Sequence, residues 1–544
     1  MNRSIHVVLS GSRALLVTPV VFTLSLLVCT NALAQPAAVS SEEPASAVAQ
    51  PEAPAEPVYI APRAAAEAVA PTVAVVAVPA EVPESAPALT LPGPASDAAR
   101  ARLDYSDGSF YLRSFNDNLV LVPSGRLHID GYSFAGPGVS DFQRGNGSGL
   151  KSNVFFRRFV IELGGLVRKQ YFFYLGGNFA PQAIDGSNPG QTIANNANVY
   201  DAFVGYMPTP NIRFYLGQYN APFTMENVTS SRWLDLMERA LIIRSAAIPA
   251  NKGDGLMMWA DTENKMFEVQ AGVFGADGMN RPNIDGDVDG MGRLVFRPLA
   301  TREDALNRMH IGVSGRYGHR DHKFVRYDAP GMSTPGGYTY WSASYGMAPD
   351  VRHIVPSSHQ GAIAAELYVP FERFDLKGEF VYVDEGRREV MESDRSKTLR
   401  NGALTGFGGY AQLSFWLAGT PRISGNPAGM YGVLKVPEGL GKQADYGLQL
   451  VVRAELVRLK YDSNSRAGNL GERDAMTNNI FVNAYQLGLN YWATKHIRLT
   501  AEYSLYNFPG TPKAENQAVA PGVNFGHPKS SLLHEISIRA GLAL

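Results

Sequence analysis

The sequence has almost no cysteine: Cys29 is the single one in 544 residues. A chain with one thiol forms neither an internal disulfide framework nor a cysteine-ligated metal site. An excess of charge of one sign is also missing, because 49 basic residues face 50 acidic ones. The net charge of −1 gives no general attraction to nucleic acid, so any function that depends on charge has to be local.

Long apolar runs are missing after the first thirty residues, which excludes membrane-spanning helices in the rest of the chain. The early run, residues 14–28, follows a start with two arginines and no acid, and small residues come after it. This pattern predicts a secretory signal peptide over residues 1–34, cleaved after Ala34. A transmembrane anchor is the alternative, but Pro19 interrupts the run, which is shorter than the ~20 residues that span a bilayer.

Residues 35–100 are rich in Pro, Ala and Glu and have few large apolar side chains. Such a segment buries too little surface to offset the entropy of ordering it. We therefore predict a disordered tether over 35–100 and a folded domain over 101–544. The folded domain retains 45 basic and 42 acidic residues, so it is slightly basic.

The folded part alternates apolar and polar residues with a period of two. In residues 374–382 the apolar set on one face and the charged set on the other are Leu376, Phe380 and Tyr382 against Asp375, Lys377 and Glu379. Residues 310–317 and 497–505 alternate in the same way. The composition agrees, since 54 Gly, 26 Phe and 25 Tyr favour strands and turns over helix.

Alternation of this kind fits either a soluble β-sandwich or a transmembrane β-barrel. Export, segments of about ten residues and aromatic residues near segment ends favour the barrel. Long connections are expected near 136–152, 180–197, 220–253, 276–290, 319–358, 385–404, 462–479 and 507–530, and short turns separate them. Eight long loops predict a sixteen-stranded antiparallel barrel with both ends on the periplasmic side, wide enough for an aqueous channel.

A series of short motifs resembles the phosphate-selective porin O and P family of Gram-negative outer membranes. The motifs are Gly125-Arg126-Leu-His-Ile-Asp130-Gly, Phe156-Arg157-Arg158-Phe-Val-Ile-Glu162, Asp201-Ala-Phe-Val-Gly205-Tyr, Gly217-Gln-Tyr-Asn-Ala-Pro222-Phe-Thr-Met-Glu226, Ser230-Ser-Arg232, Met237-Glu-Arg239, Gly292-Arg293-Leu-Val-Phe and Gly488-Leu-Asn490-Tyr-Trp492. The resemblance implies an outer-membrane porin, embedded in lipid as a homotrimer, through which small anions such as phosphate or polyphosphate diffuse passively. It also accounts for a long connection at 418–444, where a short turn is otherwise expected. The chain departs from the usual barrel ending, because Leu544 stands where an aromatic residue is typical.

Arginines that project into a water-filled barrel favour anions, because guanidinium groups replace part of the anion's hydration shell. The candidates for an anion pathway are Arg126, Arg157, Arg158, Arg213, Arg232, Arg239, Arg244 and Arg293. Arg158 shares its face with Val160 and Glu162, so we predict that it points inward. The neighbouring Arg157 then lies at the rim or follows a local twist. The alternative for each arginine is an ion pair on the barrel wall, as Glu162 could form with Arg158.

The third long connection, 220–253, has a helical pattern at Trp233–Ile243 with apolar residues on most faces. An all-round apolar segment avoids water, so we predict that this loop folds inward and narrows the lumen. The alternative is a surface helix used for contacts between subunits.

Other motifs are weaker. Asp285–Gly290 copies half of an EF-hand loop, but Phe296 stands where the bidentate Glu belongs, and His319 and His322 have no third ligand nearby in the sequence. We therefore predict a turn at Asp285–Asp289, with a loose surface Ca²⁺ site as the alternative, and a solvated loop at the two histidines. No metal site and no cofactor are assigned, and without a recognisable catalytic set the chain is not expected to be an enzyme. A general diffusion porin of weak selectivity and a closed barrel that anchors the envelope remain the alternative functions.

Overall fold

The protein is described by a computed structural model that covers residues 102–544 with several gaps. The gaps are 107–108, 115, 138, 140–141, 143–148, 181–196, 248–250, 276–277, 284–285, 322–326, 346–350, 372, 420–421, 425–432, 436–445, 464–476, 495 and 510–530. The signal peptide predicted over 1–34 and the tether predicted over 35–100 lie outside the described residues.

Sixteen strands form the wall. They are β1 Leu119–Ala135, β2 Asn153–Val167, β3 Tyr171–Asn178, β4 Asn198–Thr209, β5 Ile212–Asn220, β6 Lys252–Asp261, β7 Phe267–Gly275, β8 Val288–Phe296, β9 His310–Arg320, β10 Arg352–Pro370, β11 Phe374–Met391, β12 Asp394–Ala418, β13 Gly447–Asp462, β14 Thr477–Trp492, β15 Ile497–Asn507 and β16 Leu532–Ala543. Each strand pairs antiparallel with the next, and β16 returns to pair with β1, as in Arg539 opposite Asp130. The closed sixteen-stranded antiparallel barrel predicted from the alternation is confirmed.

Short elements accompany the wall. A hairpin of Arg102–Ser106 and Ser109–Arg113 extends the edge of β1. Four further strands are Met332–Ser333, which pairs with Thr339–Trp341, and Arg422–Ser424, which pairs with Val433–Lys435. The remaining short elements are the strand Ser344–Tyr345 on β10, the α-helical turn Met225–Val228, the π-helical turn Ile243–Ala247 and the 3₁₀ turn Ala305–Arg308. Among the described residues, no helix has the length and apolar character needed to cross a membrane.

The two faces of the wall differ as the period of two predicts. The outward face is apolar, with exposed side chains such as Phe159, Ile161, Leu294 and Ile538. The inward face carries buried charged and polar side chains, including Lys377 and Glu379 on β11. Aromatic pairs such as Tyr171 with Tyr206, whose ring centroids lie 5.2 Å apart, gather on the outward face at the end with the short turns. The wall therefore has the apolar exterior and polar interior of a transmembrane barrel.

One predicted loop is wrong. Residues 385–404 were expected to form a long connection, but β11 and β12 continue through them, and residues 392–393 alone join the two strands. Here the strands extend past the apolar belt, where neither face has to meet lipid, so the hydrophobic alternation that marks a strand disappears from the sequence.

The long connection between β9 and β10 packs against the inner face of the wall. This contact was not predicted from the sequence. Between β9 and β10, Thr334 and the backbone N–H of Gly336 donate hydrogen bonds to Glu535 of β16, each at 3.1 Å. Tyr338 packs against Phe142 and Phe508 from two other connections, with ring centroids 4.8 and 4.9 Å away. This connection therefore lies at the long-loop end of the barrel, against side chains of its inner face.

Candidate anion pathway at the third loop

The third loop, residues 221–251, joins β5 to β6, and its described residues from 221 to 247 are almost all buried. The helix expected at Trp233–Ile243 does not form along most of that range: the helical turns are confined to Met225–Val228 and 241–247. Several backbone groups between them bond to side chains of the wall. These contacts explain why an apolar, helix-like sequence adopts an irregular path here.

Carboxylates of the wall accept hydrogen bonds from backbone N–H groups of the third loop. Glu379 of β11 accepts from Met225 and Glu226, the latter at 3.1 and 3.2 Å. Glu502 of β15 accepts from Met237 at 3.0 Å, and Glu455 of β13 accepts from Leu241 at 2.6 Å. Three strands thus fix the loop by its backbone donors.

Donors of the wall fix the loop by its carbonyl groups. Arg498 of β15 donates to the carbonyl of Leu234 at 2.6 Å, Asn490 of β14 donates to that of Asp235 at 2.7 Å, and Arg539 of β16 donates to that of Met237. These groups all project from the inward face, on the side of the barrel opposite the strands that carry the loop.

Acidic side chains of the loop pair with wall cations. Asp235 accepts from Lys377 of β11 at 2.6 Å and from Gln449 of β13 at 3.0 Å. Glu226 pairs with Arg453 of β13. Backbone and side-chain contacts therefore both dock the loop on the wall. Lys377 and Arg453 stabilise the position of the loop through these ion pairs.

Arg157 and Arg158 of β2 both reach Glu238 of the loop. The pairing of β1 with β2 shifts by one residue between His128 and Ile129, and this bulge lets two consecutive arginines point to the same side. Arg157 Nε lies 3.1 Å from Glu238 Oε1, and Arg158 donates to both Glu238 oxygens at 2.9 and 3.1 Å. Arg157 and Arg158 thus both contact the third loop, and their role in an anion path stays a prediction.

The pKa of Glu238 reflects these contacts. Burial alone would raise it, but the guanidinium groups of Arg157, Arg158 and Arg539 hold the pKa of this loop carboxyl well below its usual range. Glu238 is therefore a permanent anion at neutral pH.

Arg126 of β1 and Arg232 of the loop meet at Glu162 of β2. Arg126 donates to Glu162 at 2.8 Å and to the hydroxyls of Ser230 and Ser231 at 3.0 Å each. Arg232 pairs with the other oxygen of the same carboxylate. Glu162 thus pairs with these two arginines and not with Arg158, which has Glu238 as its partner.

The two partners of these ion pairs differ in exposure. The side chains of Arg157, Arg158 and Arg232 are 12, 11 and 7% exposed, while their partners Glu238 and Glu162 are 4 and 0% exposed. In these three pairs the guanidinium is the more exposed partner, whereas Arg539, which also pairs with Glu238, has no exposed side-chain surface.

The remaining predicted arginines do not join this cluster by direct contact. Arg239 donates to the carbonyls of Glu226 at 2.7 Å and Thr229 at 2.6 Å, so it closes the loop on itself. Arg293 of β8 is enclosed between Glu268 and Glu366 with no exposed side-chain surface. Arg293 therefore forms an ion pair within the barrel wall, which the sequence analysis gave as the alternative to a place in the anion path.

Arg213 and Arg244 lie apart from these contacts. The guanidinium of Arg213 on β5 stacks on Trp259 of β6, with its carbon 4.1 Å from the ring centroid, and it has no hydrogen-bond acceptor among the described residues. Arg244 lies in the π-helical turn Ile243–Ala247, and its Nη1 has no hydrogen-bond partner in the described part of the chain.

Several residues of the site were missed by sequence reasoning. Glu238 was named only as part of a motif, and Arg453, Arg498 and Arg539 were absent from the candidates although all three project inward. The period of two places Arg498 and Arg539 on the inward face, so strand parity was the available signal. No sequence pattern around Glu238 indicates that it pairs with Arg157 and Arg158, which lie about 80 positions earlier in the chain.

The described residues contain no cluster of three or more His, Cys, Asp or Glu placed to hold a metal ion. Asp289 of the EF-hand-like stretch pairs with Arg320 at 2.8 Å, and Asp287 lies 3.2 Å from His319. Asp285 and His322 lie outside the described residues.

Comparison with known proteins decides the family. The sequence profile described as phosphate-selective porin O and P matches residues 125–520, which is well over half of the chain. The chain belongs to the phosphate-selective porin O and P family. The protein is accordingly an outer-membrane β-barrel of a Gram-negative bacterium, with its short turns at the periplasmic end.

Individual relatives are more distant. Porin O of Pseudomonas aeruginosa is 28% identical over 223 residues, which are 39% of this chain and 46% of that relative, so the match spans about half of the relative's length. Among solved structures, OmpT of Vibrio cholerae, described as a trimer form, is similar with a TM-score of 0.44 and 9% identity over 79% of this chain and all of that one. The anion-selective porin from Comamonas acidovorans has a TM-score of 0.42 and 10% identity over 78% of this chain and all of that one.

Proposed function

We propose that this porin is an anion-selective diffusion channel whose constriction is formed by the third loop. The observation that carries the proposal is the unequal exposure within three ion pairs at Glu238 and Glu162, where Arg157, Arg158 and Arg232 are more accessible than the carboxylates they bind. Guanidinium donors lower the cost of removing water from a passing anion and raise it for a cation. Arg126, Arg157, Arg158 and Arg232 are the residues we assign to this path.

Phosphate or polyphosphate is the substrate class that the family description suggests. Planar guanidinium forks suit the oxygens of such anions, since two parallel N–H groups meet two oxygens. The Ser230 and Ser231 hydroxyls beside Arg126 add neutral donors next to the charged ones. Transport is passive, and no catalytic chemistry is proposed.

A homotrimer in outer-membrane lipid is the proposed assembly, which cross-linking of the refolded protein tests.

A general diffusion porin of weak selectivity is the second candidate. Its support is the number of buried inward acids on the strands: Asp130, Glu162, Asp201, Glu268, Asp289, Glu366, Asp375, Glu379, Glu385, Glu455, Glu502 and Glu535. These acids neutralise much of the inward positive charge, which limits the field that acts on a passing ion.

The reversal potential of the channel in a salt gradient across a planar bilayer tests these candidates. An anion-selective value with chloride current that phosphate blocks supports the proposal. Anion selectivity without a phosphate effect, or selectivity close to zero, leaves the general porin. A cation-selective value contradicts the proposal, and absence of conductance leaves the closed, anchoring barrel.

A further inference from the structure

Glu238 has the contacts that an oxyanion substrate would make at Arg157 and Arg158. Its two oxygens receive both Nη groups of Arg158, at 2.9 and 3.1 Å, and the Nε of Arg157, at 3.1 Å. A carboxylate across the fork of one arginine and against a second arginine has the geometry in which guanidinium groups bind phosphate oxygens. In the structure, the protein's own carboxylate thus occupies these donors.

Glu238 also has a partner that does not depend on those two arginines. Arg539 of β16 donates to Glu238 Oε1 at 2.8 Å, and Asp130 of β1 holds Arg539 through two bonds of 2.6 and 2.7 Å. A Glu238 side chain that leaves Arg157 and Arg158 would therefore keep one cationic contact, with Arg539, which it shares with Asp130. The carboxylate would then still have a cation beside it, which lowers the cost of the movement compared with a buried charge that has none.

The backbone of Glu238 is fixed on both sides, so a movement can be confined to the side chain. The preceding residue, Met237, donates its N–H to Glu502 at 3.0 Å and receives Arg539 on its carbonyl. The carbonyl of Glu238 itself lies 3.4 Å from Arg453 Nη1. Rotation about side-chain bonds is sufficient to uncover the two arginines.

We propose that Glu238 is a built-in counter-ion that occupies the position between Arg157 and Arg158 and is displaced from it by each permeating anion. This inference rests on the proposed anion-selective channel and specifies how its central arginines work. Conduction needs binding that is favourable enough for entry and weak enough for exit. A carboxylate that competes for the same donors weakens binding and returns the arginines to a neutralised state after each passage.

The competitor role predicts an effect of opposite sign to that of a mere anchor. If Glu238 only positioned Arg157 and Arg158, its loss would disorganise them and weaken anion binding. If Glu238 competes with the anion, its loss strengthens anion binding. The isosteric Glu238→Gln substitution removes the charge and keeps the shape, so it separates the two roles.

The experiment measures the concentration of inorganic phosphate that halves the chloride current of the refolded channel in a planar bilayer. We expect Glu238→Gln to lower this concentration by about tenfold, the order expected when one charge-assisted contact changes. We also expect a slower exit of phosphate, seen as longer blocked intervals in single-channel records. An unchanged or higher half-blocking concentration overturns the inference.

Asp235→Asn is the matched control, because it removes one negative charge from the same loop. Asp235 pairs with Lys377 of β11 and is not a partner of Arg157 or Arg158. We expect phosphate block close to that of the unchanged protein. An equal increase in phosphate affinity in both variants would show a general effect of loop charge and would overturn the competitor role.

A variant that keeps the charge covers the case in which Glu238→Gln does not fold. Glu238→Asp shortens the side chain by one methylene and weakens its reach to both arginines, so the half-blocking concentration should fall by less than in Glu238→Gln. An unchanged value in folded Glu238→Asp then overturns the inference. If the unchanged protein is itself not anion-selective, the proposed function fails and the inference fails with it, whereas an anion-selective channel insensitive to these substitutions loses the inference alone.

Discussion

Asn490 of β14 donates a hydrogen bond from its side-chain amide to the backbone carbonyl of Asp235 in the third loop, at 2.7 Å. The residues two positions before and after it face the same side and also meet the loop. A Cβ atom at Gly488 would lie 2.5 Å from Leu236 Cδ2, and the ring of Trp492 stacks on that of Trp233 with centroids 6.3 Å apart. The Gly488-Leu-Asn490-Tyr-Trp492 motif is therefore a docking surface for the loop.

Replacing Gly488 by Val should displace the loop. The new side chain takes the space of Leu236, and overpacking of this kind costs about 1–3 kcal/mol when the neighbours cannot relax. We expect the barrel to form, because valine favours strands, while the constriction becomes irregular. Single-channel records should show a broader distribution of conductance and a reversal potential closer to zero.

Gly315→Val on β9 is the control for that substitution. A Cβ atom at Gly315 meets no atom of the described residues within 4 Å, so the larger side chain has open space. Conductance and reversal potential should match those of the unchanged protein. Equal disturbance in both variants would show that valine perturbs the wall and not the loop contact.

Replacing Arg158 by Ala should weaken the anion pathway. The substitution removes two donors and leaves Glu238 with Arg157 and Arg539. The anion-to-cation permeability ratio should fall, and the half-blocking phosphate concentration should rise on the order of tenfold, since a hydrogen bond to a charged group is worth about 1.5–3 kcal/mol. Reversal potentials and phosphate titration of the chloride current measure the two effects.

Phe159→Ala tests the opposite face of the same strand. Phe159 is 44% exposed on the outward side, so its loss removes apolar surface from the lipid face and leaves the lumen unchanged. We expect poorer refolding into membranes and ordinary selectivity in the channels that form. Arg158→Ala, in contrast to Phe159→Ala, is expected to change selectivity; if it did not, the assignment of Arg158 to the anion path would be contradicted.

Arg293 is expected to act on stability and not on transport. Its guanidinium lies between Glu268 and Glu366 with no exposed side-chain surface. Arg293→Ala leaves Glu268 with Arg297 alone and removes the guanidinium from buried Glu366, and breaking a buried ion pair on one side costs about 3–5 kcal/mol. The barrel should unfold at a lower temperature on heated detergent gels. The channels that do form should keep their reversal potential, and a strong loss of selectivity in them would instead place Arg293 in the path.

The wall was predictable because each strand faces two different solvents. A side chain such as Ile538 meets lipid and its neighbour Arg539 meets the interior, so the period of two records the fold residue by residue. This alternation of apolar and polar residues disappears where a strand no longer has one face toward lipid and the other toward the interior. Residues 385–404 were taken for a loop because the extended parts of β11 and β12 have no lipid face to mark them.

The burial of the third loop could be predicted from the sequence, but its backbone path could not. Its apolar residues indicated burial, but its backbone is satisfied by Glu502, Arg498 and Asn490, which lie more than 250 positions away in the sequence. Local propensity therefore favoured a helix that tertiary contacts replaced. The pairing of Arg158 with Glu238 was hidden for the same reason, since a nearer carboxylate, Glu162, was available on the same strand.

Cysteine substitution should distinguish the inward and outward faces of β2 directly. Cys29 lies in the predicted signal peptide, so the mature protein is expected to offer no competing thiol. In Arg157→Cys, a negatively charged, water-soluble thiol reagent should reduce the current, because the side chain at this position contacts Glu238 and belongs to the proposed anion path. Ile161→Cys is the matched control, since Ile161 is 55% exposed on the lipid-facing side of the same strand. Its current should not respond, because lipid excludes the charged reagent. Current loss in Ile161→Cys, or its absence in a demonstrably labelled Arg157→Cys channel, would contradict the assignment of Arg157 to the anion path.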